Sequence, residues 1–173
     1  MAVGAGQGDE HVILVVANRT LASPVIEDAL AHRAAERGDV RFRVHLVVPA
    51  TPVVGPLSGW VEAEHIPARA SEDPGFALAR HRLRSGADRL RDLGFEVDGE
   101  VGDPDPFVAV GQVLRRTRVD EIVVSTFASS RSSWARSDLV RRLQRHHGLP
   151  TARLETALDE VEQPRAAARR LHG

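Results

Sequence analysis

The sequence predicts an α/β fold: a doubly wound, mostly parallel five-stranded sheet with helices on both faces. Three observations predict it. Short β-branched runs alternate with longer segments whose apolar residues recur every three or four positions, in the order β-α-β-α-β-α-β-α-β. The first run, His11–Ala17, is apolar throughout, the pattern of a strand covered on both faces. Two of the helical segments open on a capping Ser-Pro or Asp-Pro pair and three close on glycine, so these caps agree with the periods.

Each element can be justified in turn. Residues 1–10 are small, polar and glycine-rich and are expected to be disordered. The first helix has Ser23 as N-cap, Pro24 at N1 and Gly38 as stop, with Val25, Ile26, Ala29 and Leu30 inward. Val40–Val48 alternates, then turns wholly apolar, and reads as the second strand. Pro49–Asp73 is a long connection rich in Pro and Gly, a length that usually signals a functional segment. The next helix carries Phe76, Ala79, Leu83, Ala87 and Leu90 on its inner stripe and stops at Gly94. Phe95–Val101 alternates as a third strand. Asp105 then caps a helix with Pro106 at N1 and Phe107, Val110 and Leu114 inward. Asp120–Thr126 reads as the fourth strand, and a Ser/Arg loop follows it. A helix from Ser137 or Asp138 to Gly148 leads to a last short strand, Leu149–Glu155. Residues 11–158 form the α/β domain, and 159–173 a peripheral charged tail.

Composition excludes several chemistries. The 173 residues suit one domain, and 42% hydrophobic content supports a packed core. Net charge is −1, so nothing draws the chain toward nucleic acid or anionic membrane. All 23 basic residues are Arg, so neither a Walker lysine nor a Schiff-base lysine exists. With no cysteine, disulfides and thiol catalysis are absent too. No signal-like or membrane-spanning run is present, and a soluble, cytoplasmic protein is expected. Asp98, Glu100, Asp103 and Asp105 lie close in sequence, but turn and cap roles account for the last two, so no metal site is expected. His146 and His147 are neighbours about 100° apart on a helix and suit its C-terminal charge better than joint ligation. No Gly-x-Ser-x-Gly elbow or other catalytic set appears.

In sheets of this kind, ligands sit at the carboxyl ends of the strands. The stretches VILVVANRTLASPVIEDAL, VGDPDPFVAVGQVL and DEIVVSTFASSRSSWARSDLVRRLQRHHGLPTARL stand in the order and spacing of the universal stress protein family, and the chain resembles that family over about Val12–Leu154. The resemblance implies a homodimer paired through the last strand, near Pro150–Glu155, and a ligand site at Asn18, Val47, Val48, Ser125, Ala128, Ser129, Ser130, Arg131, Arg136 and Ser137. ATP-binding members carry Gly-x2-Gly-x9-Gly-Ser/Thr after the fourth strand, where backbone N–H groups crowd round phosphates. Here Ser125 and Ala128 take the first two glycine positions. Asp138–Leu139 takes the last pair at strict spacing, or Arg136–Ser137 if the loop is two residues shorter. The family's Asp at the end of strand one aligns with Asn18, and Val47 and Val48 match the place where adenine packs.

Two functions follow as expectations. The first is a non-catalytic, dimeric stress-response or regulatory binding module that does not hold ATP in the standard way. The second is a nucleotide-binding protein that holds ATP or AMP through the Ser/Arg loop, with slow hydrolysis conceivable. In either case a small anion, nucleotide or protein is the expected partner. Trp60 and Trp134 fall in loops and suggest contact surfaces.

Overall fold

The computed structural model describes residues 9–52, 72–128 and 138–157. Five strands form one sheet: β1 (Glu10–Val16), β2 (Arg41–Pro49), β3 (Glu96–Gly102), β4 (Glu121–Phe127) and β5 (Thr151–Thr156). Their order is β3-β2-β1-β4-β5, and every pairing is parallel. Four α-helices connect them: α1 (Pro24–Arg37), α2 (Pro74–Asp92), α3 (Pro106–Leu114) and α4 (Leu139–His147). The sheet is parallel throughout where the sequence promised only a mostly parallel one.

Side-chain alternation divides the core in two. Ile13, Val15 and Ala17 of β1 pack with Ile26 and Leu30 of α1 and Ala79, Ala87 and Leu90 of α2. Val12, Leu14 and Val16 face the other way, onto Ala109, Val110 and Val113 of α3 and Leu139 and Leu143 of α4. Covering both faces is what demands the unbroken apolar run of β1. Each fully buried Val, Leu or Ile side chain among these contributes about 1.5–3 kcal/mol through burial.

The caps form as read. Ser23 Oγ accepts from Val25 N–H at 3.1 Å and Asp105 Oδ1 from Phe107 N–H at 2.9 Å. Gly94 (φ 92°) and Gly148 (φ 66°) end α2 and α4 in conformations glycine adopts freely. Two details differ from the expected pattern. Phe76 is 41% exposed, because the buried side of the first turn of α2 belongs to Gly75, Ala77 and Leu78. A short 3-10 turn, Arg19–Ala22, separates β1 from α1 and buries Leu21 against α2.

The alternation of β3 and early β2 also has a structural cause. On the α3 side their side chains are polar: Arg41, Arg43 and His45 on β2, and Glu96, Asp98 and Glu100 on β3. Opposite charges pair across this strip, as Arg41 does with Glu96 at 2.8 Å. Charges on an edge strand also discourage unwanted sheet pairing. His45 Nε2 lies 3.5 Å from Glu100 Oε2, and burial lowers its pKa despite Glu100 and Asp98, which act the other way. Among the described residues no helix is long and apolar enough to cross a membrane, and no group of three His, Asp or Glu side chains is placed to hold a metal.

Candidate functional site

The chain leaves β1 toward β2 on one side, while β4 lies on the other. The carboxyl ends of β1 and β4 therefore form the switch point where open α/β sheets present a crevice.

Asn18 follows β1 at this point. Its Nδ2 donates to Pro49 O at 2.8 Å and to Thr51 Oγ1 at 3.2 Å, while its Oδ1 accepts from Arg82 Nη1. A carboxamide can make all three contacts; a carboxylate cannot donate to a carbonyl. The three contacts tie the ends of β1 and β2 to α2. Gly75 permits the approach, since a Cβ there would meet Thr51 O at 2.6 Å. Gly86 does the same further along α2, where a Cβ would lie 2.6 Å from Leu21 Cγ.

The β4 side is built differently. Arg19 lies over the ring of Phe127, 5.4 Å from its centroid. Thr20 Oγ1 donates to Ser125 O at 3.3 Å. Ser125, Thr126 and Thr156 are 1%, 3% and 0% exposed, and none of their hydroxyl oxygens has a hydrogen-bond partner among the described residues. Ser125 follows Val123 by two positions and Thr156 follows Leu154 by two, so both face the α1/α2 side, and Thr126 faces the other. Three orphaned hydroxyls at adjoining strand ends stand out against a protein's usual near-complete pairing.

The head of α4 closes the region. Asp138 occupies its N-cap position in the left-handed conformation (φ 49°, ψ 39°), the one non-glycine residue with positive φ among those described. Its carboxylate makes no capping bond and lies 3.7 Å from Arg141 Nε. That conformation suits glycine, and Asp138 is the residue that strict spacing aligned with the third glycine of the ATP loop.

The other expected site residues divide into three groups. Val47 and Val48 are completely buried, on opposite faces of β2, so only their backbone reaches this edge. Ala128 follows β4 directly, its N–H donating to Thr156 O at 3.0 Å. Ser129, Ser130, Arg131, Arg136 and Ser137 lie outside the described residues, as do Trp60 and Trp134. Arg19, Thr51 and Arg82 were not anticipated. Arg82 reads as part of a solvated basic face, yet it stands three residues after Ala79 and four before Gly86, both buried, and that spacing places it at the rim of the packed stripe. Arg19 and Thr51 have no such signal, because only the topology brings them to one edge.

No protein-family model matches the chain, and no curated protein matches it in sequence. Solved structures do match. A universal stress protein of Arabidopsis thaliana with AMP bound aligns at TM-score 0.56 and 16% identity, over 87% of this chain and 94% of its own. The universal stress protein of Archaeoglobus fulgidus aligns at TM-score 0.54 and 16% identity, over 85% and 95%. The chain has the universal stress protein fold. A third universal stress protein, in complex with cAMP, aligns at TM-score 0.50 and 15% identity, over 86% and 99%. At such identities the universal stress protein fold is what is shared, and a ligand has to be argued from this chain's own residues.

Proposed function

We propose that the chain is a non-catalytic regulatory or stress-response binding module of the universal stress protein type, whose site does not cradle ATP on a glycine loop. The observation that carries this reading is the state of Asn18. Its amide is engaged by Pro49, Thr51 and Arg82, so the position that supplies a carboxylate to the nucleoside in ATP-binding members serves here as an internal latch. Asp138 supports the same reading, since a carboxylate at the head of α4 repels phosphate where glycine would admit it. The module is a homodimer in this reading. β5 is an edge strand of the sheet, and pairing with a second copy would satisfy its outer backbone groups.

A second reading, ATP or AMP binding through the Ser/Arg loop, is favoured by the AMP and cAMP held by proteins of the same fold. A thermal-shift titration with magnesium and ATP separates the two. A ligand at 100 times its Kd adds about 2.7 kcal/mol of stability, an upward shift of several degrees. The first reading expects no shift at millimolar ATP. Light scattering on the eluting protein tests the dimer.

A further inference from the structure

We propose that the outer face of α3 is an interface for a second copy of this chain, which lays its own α3 antiparallel across Gly111. This goes beyond the reading of the carboxyl edge and does not depend on it.

α3 is unlike the other helices. α1, α2 and α4 all carry charged residues, as surface helices do, whereas Pro106–Leu114 carries none. Its inner side is Ala109, Val110 and Val113. On the opposite side Val108, Gly111 and Arg115 form a stripe at spacings of three and four, with Val108 40% exposed.

Gly111 supplies the independent observation. Glycine is a poor residue inside a helix, because it gives up the most backbone freedom on folding. The other described glycines have a reason within the chain. Three adopt positive φ, and at four others a Cβ would come within 2.7 Å of another atom. At Gly111 φ is not positive and a Cβ would meet nothing within 4 Å. The chain by itself does not need a bare backbone there; a second helix crossing closely at that point does.

The charges select the helix that crosses. At the head of α3, Asp103 Oδ1 accepts from Asp105 N–H and Asp105 Oδ1 from Phe107 N–H, and neither carboxylate is in an ion pair among the described residues. At the tail, Arg116 bonds Glu100 and Arg118 bonds Asp120, while Arg115 is exposed and has no ion-pair partner among the described residues. Asp105 and Arg115 are about 15 Å apart along the helix axis, and their midpoint falls within a residue of Gly111. An antiparallel copy centred there brings the acidic head of each α3 to the free guanidinium of the other. A parallel copy would set like charges side by side. The contact is therefore self-complementary about a two-fold axis. It lies on the face of the sheet, apart from the β5 edge, and a nine-residue helix makes it small and reversible, below about 1,200 Å² in total.

Sedimentation equilibrium at chain concentrations up to about 1 mM tests the interface on the wild type and on Gly111→Gln, Arg115→Glu and Arg84→Glu. Gly111→Gln puts a side chain into open space, so the fold should keep its denaturation midpoint while association weakens about tenfold or more. Arg115→Glu should weaken it as much by setting like charges together. Arg84→Glu makes the same charge change on the exposed side of α2 and should leave it within about twofold. The chain has no cysteine, so Gly111→Cys gives a direct readout. Its two thiols meet at the axis, and mild oxidation should link the copies much faster than in the exposed α2 variant Ser85→Cys.

The proposal is overturned if the wild type stays monomeric throughout, or if Gly111→Cys links no faster than Ser85→Cys. A dimer that ignores both Gly111→Gln and Arg115→Glu is the β5 pairing alone and also overturns it. An assembly beyond the dimer that these two variants cut back to a dimer supports the α3 contact and leaves the β5 pairing standing. A dimer that both variants reduce to monomer supports the α3 contact and sinks the β5 pairing.

Discussion

The two ends of β1 and β4 carry polar clusters of opposite character. At the amino end, the Glu121 carboxylate, with its side chain 14% exposed, meets Arg33 Nε at 2.8 Å, His11 Nε2 at 3.5 Å and Arg37 Nη2 at 3.9 Å. Asp120 Oδ2 next to it accepts from Val12 N–H at 2.9 Å. Carboxylates there answer cations within the chain. At the carboxyl end, Arg82 bonds the Asn18 amide, Arg19 lies over Phe127, and the buried Ser125, Thr126 and Thr156 hydroxyls have no hydrogen-bond partner among the described residues. A cluster whose charges close on themselves holds the fold; the carboxyl ends of the strands are where sheets of this kind meet something from outside.

The largest expected effect breaks the first cluster. Glu121→Gln leaves Arg33 partly buried without its counter-charge and should cost about 3 kcal/mol in chemical denaturation, while ligand binding in the folded variant stays unchanged. A cost below about 1 kcal/mol would mean the cluster is not the structural one.

At the other end, Asn18→Ala removes the latch and strands Pro49 O, with an expected loss of about 2 kcal/mol. Asn18→Asp keeps the Arg82 contact but sets a carboxylate oxygen against Pro49 O, so the loss should be at least about 2 kcal/mol as well. If Asp proves as stable as Asn, the donor role assigned to the amide is wrong.

Asp138→Gly acts in the opposite direction. Releasing a left-handed aspartate should stabilise the chain by about 1 kcal/mol, seen as a raised denaturation midpoint. It also removes a carboxylate from the head of α4, so any weak ATP binding should increase.

The smallest effect is the pH response. Burial holds His45 and His147 below their ordinary value of 6.5, and His146 adds to the lowering at His147. The unfolded chain therefore binds more protons than the folded one just below that value. Stability should be full above about pH 6.5, fall as pH drops toward the lowered folded values, and level off beneath them. His45→Gln should flatten part of this slope in urea titrations at pH 5.5 and 7.5, chosen about a unit either side of the ordinary value.

Much of the fold was legible in the sequence because period and caps are local. His11–Ala17 could only be a two-face strand, and Ser23-Pro24 and Asp105-Pro106 fixed their helix starts to the residue. Phe76 was misjudged because Gly75 and Ala77 let the buried stripe begin beside it. The site was less legible. Asn18 could be placed at the end of β1, but its bonds to Pro49, Thr51 and Arg82 span 31 to 64 positions and exist only once the sheet is ordered. Arg19 gained meaning only when β4 brought Phe127 beside it.

The central claim is that this carboxyl edge does not hold a nucleotide in the manner of the ATP-binding members. Freshly purified protein, denatured and examined by mass spectrometry for released small molecules, tests it most directly. The account predicts no stoichiometric ATP or AMP; about one nucleotide released per chain would contradict it.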